Sequence, residues 1–244
     1  MKKILLIHGW DYENYYGRIE HQAWDNRKKL LEKLKEYYEI RYPDLPGFGL
    51  EKEPKSKGYT LKDYAEFIDN YIKENHFYPD YILGYSFGGA VAVTYYKLFN
   101  QKISLILISP ALIRNKENSK KFVKTPTILN PIRNKIRDYY LIYKVKVPEM
   151  VYGTPFLRNT YQSIVRVEII KDLEEIDANQ YVIIYGSEDT MVDPKRMMNS
   201  VNKTVLDRIK VIPNGSHDIA NTHTDEVMKY IKEFTNEVPK LTRK

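Results

Sequence analysis

The chain has 244 residues, 43% hydrophobic and 29% charged, the balance of an ordinary globular protein with a sizeable core. It contains no cysteine, which excludes disulfides, thiolate metal sites and a cysteine nucleophile, and no apolar run approaches the ~18 residues of a membrane span. The net charge is +7, and no recognised nucleic-acid motif accompanies it, so nucleic acid is not the expected partner.

The first element is the apolar run 4–7, which reads as a buried parallel strand ending in His8-Gly9-Trp10. Its apolar stretch is too short for a secretion signal, so a cytoplasmic location is expected. Trp24, Leu30, Leu31 and Leu34 recur at near-helical spacing, and 38–42 forms a weaker strand closed by the loop Pro43-Asp44-Leu45-Pro46-Gly47-Phe48-Gly49. Thr60-Leu61-Lys62-Asp63 has the layout of a helix-capping box with Asp in the last place. Leu61, Tyr64, Ala65, Ile68, Tyr71 and Ile72 then mark one helical face.

A third strand over 80–85 runs into Ser86-Phe87-Gly88-Gly89, and a buried helix is expected over 90–99. Strands over 103–109, 181–185 and 209–212 follow. Val227, Met228, Ile231 and Phe234 place a last amphipathic helix. Alternating strands and helices imply an α/β fold with a doubly wound, mostly parallel sheet. The alternation breaks at 110–175, which carries Pro126, Pro131, Pro148 and Pro155 and is too long for a bare connection. A helical cap or lid inserted there is the expectation, with 1–109 and 176–244 forming the core. The insertion holds 13 Lys/Arg against 7 Asp/Glu, nearly the whole excess of positive charge. It is either a solvated face or a surface that attracts an anionic substrate or acidic partner.

Gly84-Tyr85-Ser86-Phe87-Gly88 is a G-x-S-x-G pattern in its required setting, after an apolar strand and before a helix. The sharp turn lifts the central hydroxyl to the edge of the sheet; the alternative is a glycine-rich turn with an incidental serine. A serine hydroxyl needs a base within hydrogen-bond reach. Of the five histidines, His217 lies in the polar loop Pro213-Asn214-Gly215-Ser216 after the last strand and can reach that edge. His8 is read as shaping its loop, and His21, His76 and His223 as surface or helix-end residues. The base needs an acid to fix its tautomer. Asp189, after the strand over 181–185, leads; Glu188 and Asp193 compete, and Asp193 before Pro194 looks like a helix cap.

The order Ser86, Asp189, His217 is that of the α/β-hydrolases. With His8-Gly9-Trp10, Asp44-Leu45-Pro46-Gly47-Phe48-Gly49, the serine turn, the loop to Asp189 and Gly215-Ser216-His217, the chain resembles that superfamily from Ile4 to its last helix, and within it the cap-bearing, esterase-like group. The resemblance implies an oxyanion hole made by the backbone N–H groups of Trp10 and Phe87. The chain starts directly at the His-Gly strand, where the family often has a preceding strand pair, so about six strands are expected. The His-Gly-Trp loop departs from the His-Gly-Gly-Gly of lipases that accept tertiary alcohols.

Hydrolysis of a carboxylic ester through an acyl-enzyme is the expected activity. Thioester or amide cleavage and acyl transfer are alternatives on the same residues, and a non-catalytic binding module is a further one. Gly9 and Tyr85, together with Trp10, Phe87 and the 12–16 loop, are expected to line the pocket for a small-molecule ester. Neither a metal nor a cofactor is called for, because no ligand cluster or phosphate-binding glycine loop is present.

Overall fold

The computed structural model describes residues 1–11, 21–113, 151, 153–165 and 167–237. Its frame is one six-stranded sheet in the order β2-β1-β3-β4-β5-β6. The strands are β1 (Lys2–Ile7), β2 (Tyr38–Arg41), β3 (Tyr81–Tyr85), β4 (Ser104–Ile108), β5 (Tyr181–Gly186) and β6 (Ile209–Ile212). Every pairing is parallel.

The apolar runs of the sequence are the interior strands. Each of β3, β4 and β5 is buried at every residue, whereas β2 and β6, at the edges, alternate with exposed or half-buried positions. A parallel sheet covered on both faces demands this pattern. The side-chain alternation of a strand divides each run between two cores. Leu5 and Ile7 of β1 face one, Ile4 and Leu6 the other.

The first core is closed by α2 (Leu61–Glu74) and α3 (Phe87–Leu98), the second by α1 (Lys28–Lys35) and α9 (Thr224–Glu237). Helix α2 starts at a complete capping box. Thr60 Oγ1 accepts the Asp63 N–H, and the Asp63 carboxylate accepts the Thr60 N–H at 2.7 Å. Helix α9 buries Val227, Met228, Ile231 and Phe234 against the second core, at about 1.5–3 kcal/mol of transfer free energy for each large apolar side chain.

Two short helices within 110–175 are described, α4 (Pro155–Ile164) and α5 (Ile170–Glu174). Helix α4 packs on the loop between β2 and α2. Phe156 and Leu157 are buried in the first core, Thr160 Oγ1 accepts the Tyr59 N–H at 2.8 Å, and Asn159 donates to the Lys57 carbonyl at 2.8 Å. The remainder of the expected insertion, 114–150 with positions 152 and 166, lies outside the described residues, as does the 12–16 loop expected to line the pocket. Beyond β5 come α6 (Pro194–Ser200), α7 (Lys203–Leu206) and α8 (Ile219–Thr222). Asp193 caps α6, its carboxylate accepting the Lys195 N–H at 2.9 Å.

Helix α3 begins at Phe87, three residues before the start expected from helix propensity. Gly88 and Gly89 are poor helix formers in isolation. Here the turn at Ser86 delivers them into the helix, and the close approach of β1 excludes any side chain at Gly88.

Candidate active site

All six strands are parallel, so their carboxyl ends share one edge of the sheet, and the strand order reverses between β1 and β3, the position at which open α/β sheets form a crevice. Ser86 sits at the end of β3 with φ 51° and ψ −114°, a backbone conformation that disfavours a non-glycine residue by about 1–3 kcal/mol. Three backbone hydrogen bonds and one close approach hold it there. Its N–H donates to the Ile108 carbonyl at 2.9 Å, and its carbonyl accepts from Gly89 and Ala111 at 3.0 Å each. Gly84 and Gly88 provide the fourth constraint, a strand and helix in near contact. A Cβ on Gly84 would lie 2.6 Å from the Gly88 carbonyl oxygen, and one on Gly88 would lie 2.2 Å from that of Ile7.

Ser86, His217 and Asp189 form one hydrogen-bonded chain. The Ser86 Oγ lies 3.1 Å from His217 Nε2, and His217 Nδ1 lies 2.8 Å from Asp189 Oδ2. The Asp189 side chain is fully buried and its second oxygen accepts the N–H groups of Met191 and Val192 at 2.9 and 2.8 Å. A carboxylate so placed can only accept, so Nδ1 carries the ring proton and Nε2 is free to accept from the serine hydroxyl. Its neighbour Glu188 is exposed. The loop that brings His217 in is anchored to the Asp189 loop, with the Ser187 N–H donating to the Ile212 carbonyl and the Glu188 N–H to that of Gly215.

His8 is buried beneath the loop that leads to Trp10. Its Nε2 accepts the Leu45 N–H at 2.9 Å, which leaves Nδ1 to donate to the Gly9 carbonyl at 2.6 Å. Burial pushes its pKa down to about 4, so the ring is neutral at physiological pH. The loop-shaping role expected of His8 thus has a physical form: one imidazole ties the end of β1 to the β2–α2 loop. Gly9 adjoins the serine, since a Cβ there would lie 3.2 Å from the Ser86 Cβ. The indole of Trp10 meets Phe48, Phe87 and Tyr161 of α4 edge-on, with centroids 4.9, 5.6 and 5.8 Å away. Phe87 is the first residue of α3, where N–H groups lack intrahelical partners and the helix dipole is positive.

Tyr85 is buried at 2% exposure in the second core, beneath His217, and its hydroxyl donates to the His217 carbonyl at 3.2 Å. Ser109, fully buried at the end of β4 with φ 44°, donates to the same carbonyl at 3.2 Å. Sequence spacing does not connect either hydroxyl to His217. The one usable signal is position, since Tyr85 directly precedes Ser86 and Ser109 directly follows β4, the strand paired with β3. Of the remaining histidines, His76 is exposed after α2 and His223 ends α8. His21 departs from the surface role expected of it: its side chain is only 13% exposed and lies 3.2 Å from the buried carboxylate of Asp11. Among the described residues no cluster of three His, Asp or Glu side chains could hold a metal ion. None of the described helices is long and apolar enough to cross a membrane.

The structure resembles that of a meta-cleavage product hydrolase from Pseudomonas fluorescens, with a TM-score of 0.66 at 20% identity over 97% of this chain and 91% of that one. It also resembles a thermophilic esterase from Thermogutta terrifontis, with a TM-score of 0.64 at 17% identity over 97% and 90% of the two chains. Identities this low speak for the fold alone. In sequence, 89 residues are 32% identical to the pimeloyl-(acyl-carrier protein) methyl ester esterase of Pseudoalteromonas atlantica. That stretch covers 36% of this chain and 29% of that protein. A model of the alpha/beta hydrolase family matches residues 4–229, and the chain belongs to that family.

Proposed function

We propose that the protein hydrolyses a carboxylic ester through an acyl-enzyme on Ser86. The observation that carries this reading is the continuous chain from the Ser86 hydroxyl through His217 to the buried Asp189 carboxylate. His217 Nε2 takes the hydroxyl proton as Ser86 Oγ attacks the ester carbonyl, and the tetrahedral intermediate forms. The imidazolium, stabilised by Asp189, then protonates the departing alkoxide. Water repeats the sequence on the acyl-enzyme, with His217 as base, and releases the acid.

The charge that develops on the carbonyl oxygen is held by the N–H groups of Phe87 and Trp10, and loss of one such donor costs about 10²–10³ in rate. The lack of a side chain at Gly9 supports the close approach of its loop to Ser86, since a Cβ there would lie 2.9 Å from the Tyr85 ring and 3.2 Å from the Ser86 Cβ. The aromatic set of Trp10, Phe48, Phe87 and Tyr161 supports an apolar wall for the acyl group. Residues 110–175 act as a cap, a role supported by the packing of α4 against Trp10 and the β2–α2 loop.

The test is a series of p-nitrophenyl esters of increasing acyl length with the wild type and Ser86→Ala, alongside labelling by a fluorophosphonate. Turnover and labelling that both vanish in Ser86→Ala support the mechanism, and the preferred acyl length sizes the pocket. A wild type that neither turns over nor labels would instead favour a non-catalytic binding module.

A second reading concerns the substrate's carrier. The relative from Pseudoalteromonas atlantica is named for an ester on an acyl-carrier protein, and the insertion here has an excess of six positive charges over 110–175. We infer that an acidic carrier or anionic substrate docks on that insertion. Rates on a carrier-bound ester should then fall steeply with ionic strength while rates on a neutral p-nitrophenyl ester stay flat. Equal salt dependence for the two would discard this reading.

A further inference from the structure

We infer that Arg27 is a positioning residue for His217, acting from beneath the carboxyl edge of the sheet through Tyr85 and Asp218. The inference rests on the proposed role of His217 as the base for Ser86.

Arg27 closes the short 3-10 turn Asp25–Arg27 that precedes α1. Its side chain is 15% exposed, its guanidinium carbon lies 4.1 Å from the Tyr85 ring centroid, and Nη2 lies 3.6 Å from Asp218 Oδ1. Both contacts lead to the same histidine. The Tyr85 hydroxyl donates to the His217 carbonyl at 3.2 Å, and its ring centroid is 5.5 Å from the imidazole. Asp218 is the next residue in the chain. The Asn221 amide completes the clamp, donating to the Asn26 carbonyl at 2.8 Å and to Asp218 Oδ2 at 2.9 Å.

A charge is a poor choice for packing alone at this place. Arg27 Nε and Asp218 Oδ1 are buried without a hydrogen-bond partner among the described residues. An apolar side chain of similar volume would avoid that desolvation cost. The guanidinium does provide directional attraction to both a π face and a carboxylate on the loop that carries His217. Proton transfer from Ser86 depends on the 3.1 Å separation of Oγ and Nε2, and displacements near an ångström in such geometry cost up to about 10² in rate. Arg27 therefore holds the imidazole by its backbone and lower face, while Asp189 holds it by Nδ1.

Arg27→Met keeps an apolar stem over Tyr85 and removes the charge; Arg27→Lys keeps the charge. For each, kcat and KM on p-nitrophenyl acetate would be measured together with the Cε1–H cross-peak of His217, identified by its disappearance in His217→Gln. The expected result for Arg27→Met is a kcat lower by about tenfold with KM within about twofold. The His217 cross-peak should move or broaden, and Arg27→Lys should restore both readouts in part. A cross-peak and kcat that stay at wild-type values in Arg27→Met, whatever happens to its melting temperature, would overturn the inference. If the wild type proves inactive on esters, the proposed activity fails, and the cross-peak alone decides the role of Arg27. Should Arg27→Met not fold, Asp218→Asn and Tyr85→Phe take its place. The inference then requires both to displace the His217 cross-peak, and it falls if either leaves that peak unmoved.

Discussion

His217 Nδ1 lies 2.8 Å from Asp189 Oδ2, across 28 positions of sequence, while the other oxygen of the same carboxylate accepts two backbone N–H groups of its own loop. Those two N–H groups fix the direction in which the carboxylate points independently of the histidine. The pair also dictates the tautomer on which the proposed proton abstraction from Ser86 depends.

Asp189→Asn tests that dictation. The amide oxygen can still accept from Met191 and Val192, which leaves an NH₂ facing Nδ1 and forces the ring proton onto Nε2. The expected outcome is a fall in kcat of about 10³–10⁴ on a p-nitrophenyl ester with the fold intact by circular dichroism. A loss smaller than tenfold would remove Asp189 from its proposed role.

His8 should make stability depend on pH. Burial holds its folded-state pKa at about 4, with the Gly9 carbonyl and Asp11 carboxylate opposing that shift, against about 6.5 in the unfolded chain. Between those values the unfolded chain binds the extra proton, so stability falls as pH falls. The loss attributable to His8 is about 2 kcal/mol from pH 7 to pH 5, and on the order of 3 kcal/mol by pH 4. Asp44, whose pKa burial raises, contributes with the opposite sign at the acid end, so the comparison must be with His8→Gln rather than with theory. Denaturant unfolding at pH 7 and pH 5 should show the wild type losing about 2 kcal/mol more than the variant. Parallel losses in the two proteins would contradict a buried neutral imidazole.

Gly88→Ala places a methyl 2.2 Å from the Ile7 carbonyl oxygen and 2.5 Å from that of His8. Neither oxygen belongs to a flexible side chain, so β1 or the start of α3 must move. A destabilisation of about 3 kcal/mol is expected by thermal or denaturant unfolding. Fluorophosphonate labelling of Ser86 should slow in the same variant, because the turn that aims its hydroxyl is displaced.

Thr60→Ala removes one half of the capping box at α2, far from the chemistry. It should cost about 1 kcal/mol and lower the melting temperature by about 2–4 °C. Its kcat should equal that of the wild type. An unchanged melting temperature would mean that the box, present in the geometry, adds nothing to stability.

The interior strands could be read from residue order because a strand buried on both faces must be apolar at every position, and 4–7, 80–85, 103–109 and 181–185 are nearly so. The edge strand β2 was correspondingly faint, with only Tyr38 buried. The capping roles of Thr60 and Asp193 were legible for a related reason: each contact closes within three residues. Ser86 was legible because its turn is a short pattern set between an apolar strand and a helix, and the contact of Gly84 with Gly88 and Gly89 closes within five residues.

Contacts between distant segments were not legible. Nothing in spacing says that the hydroxyls of Tyr85 and Ser109 meet on the carbonyl of His217, or that Arg27 lies over Tyr85. Propensity does not show the early start of α3, since it counts Gly88 and Gly89 against a helix while the approach of β1 to Gly88 and of Pro110 to Gly89 requires them. Local patterns encode the elements and the reactive groups, because those depend on a residue and its near neighbours. The aim of those groups depends on which strand ends the parallel sheet brings side by side, and only the folded sheet settles that.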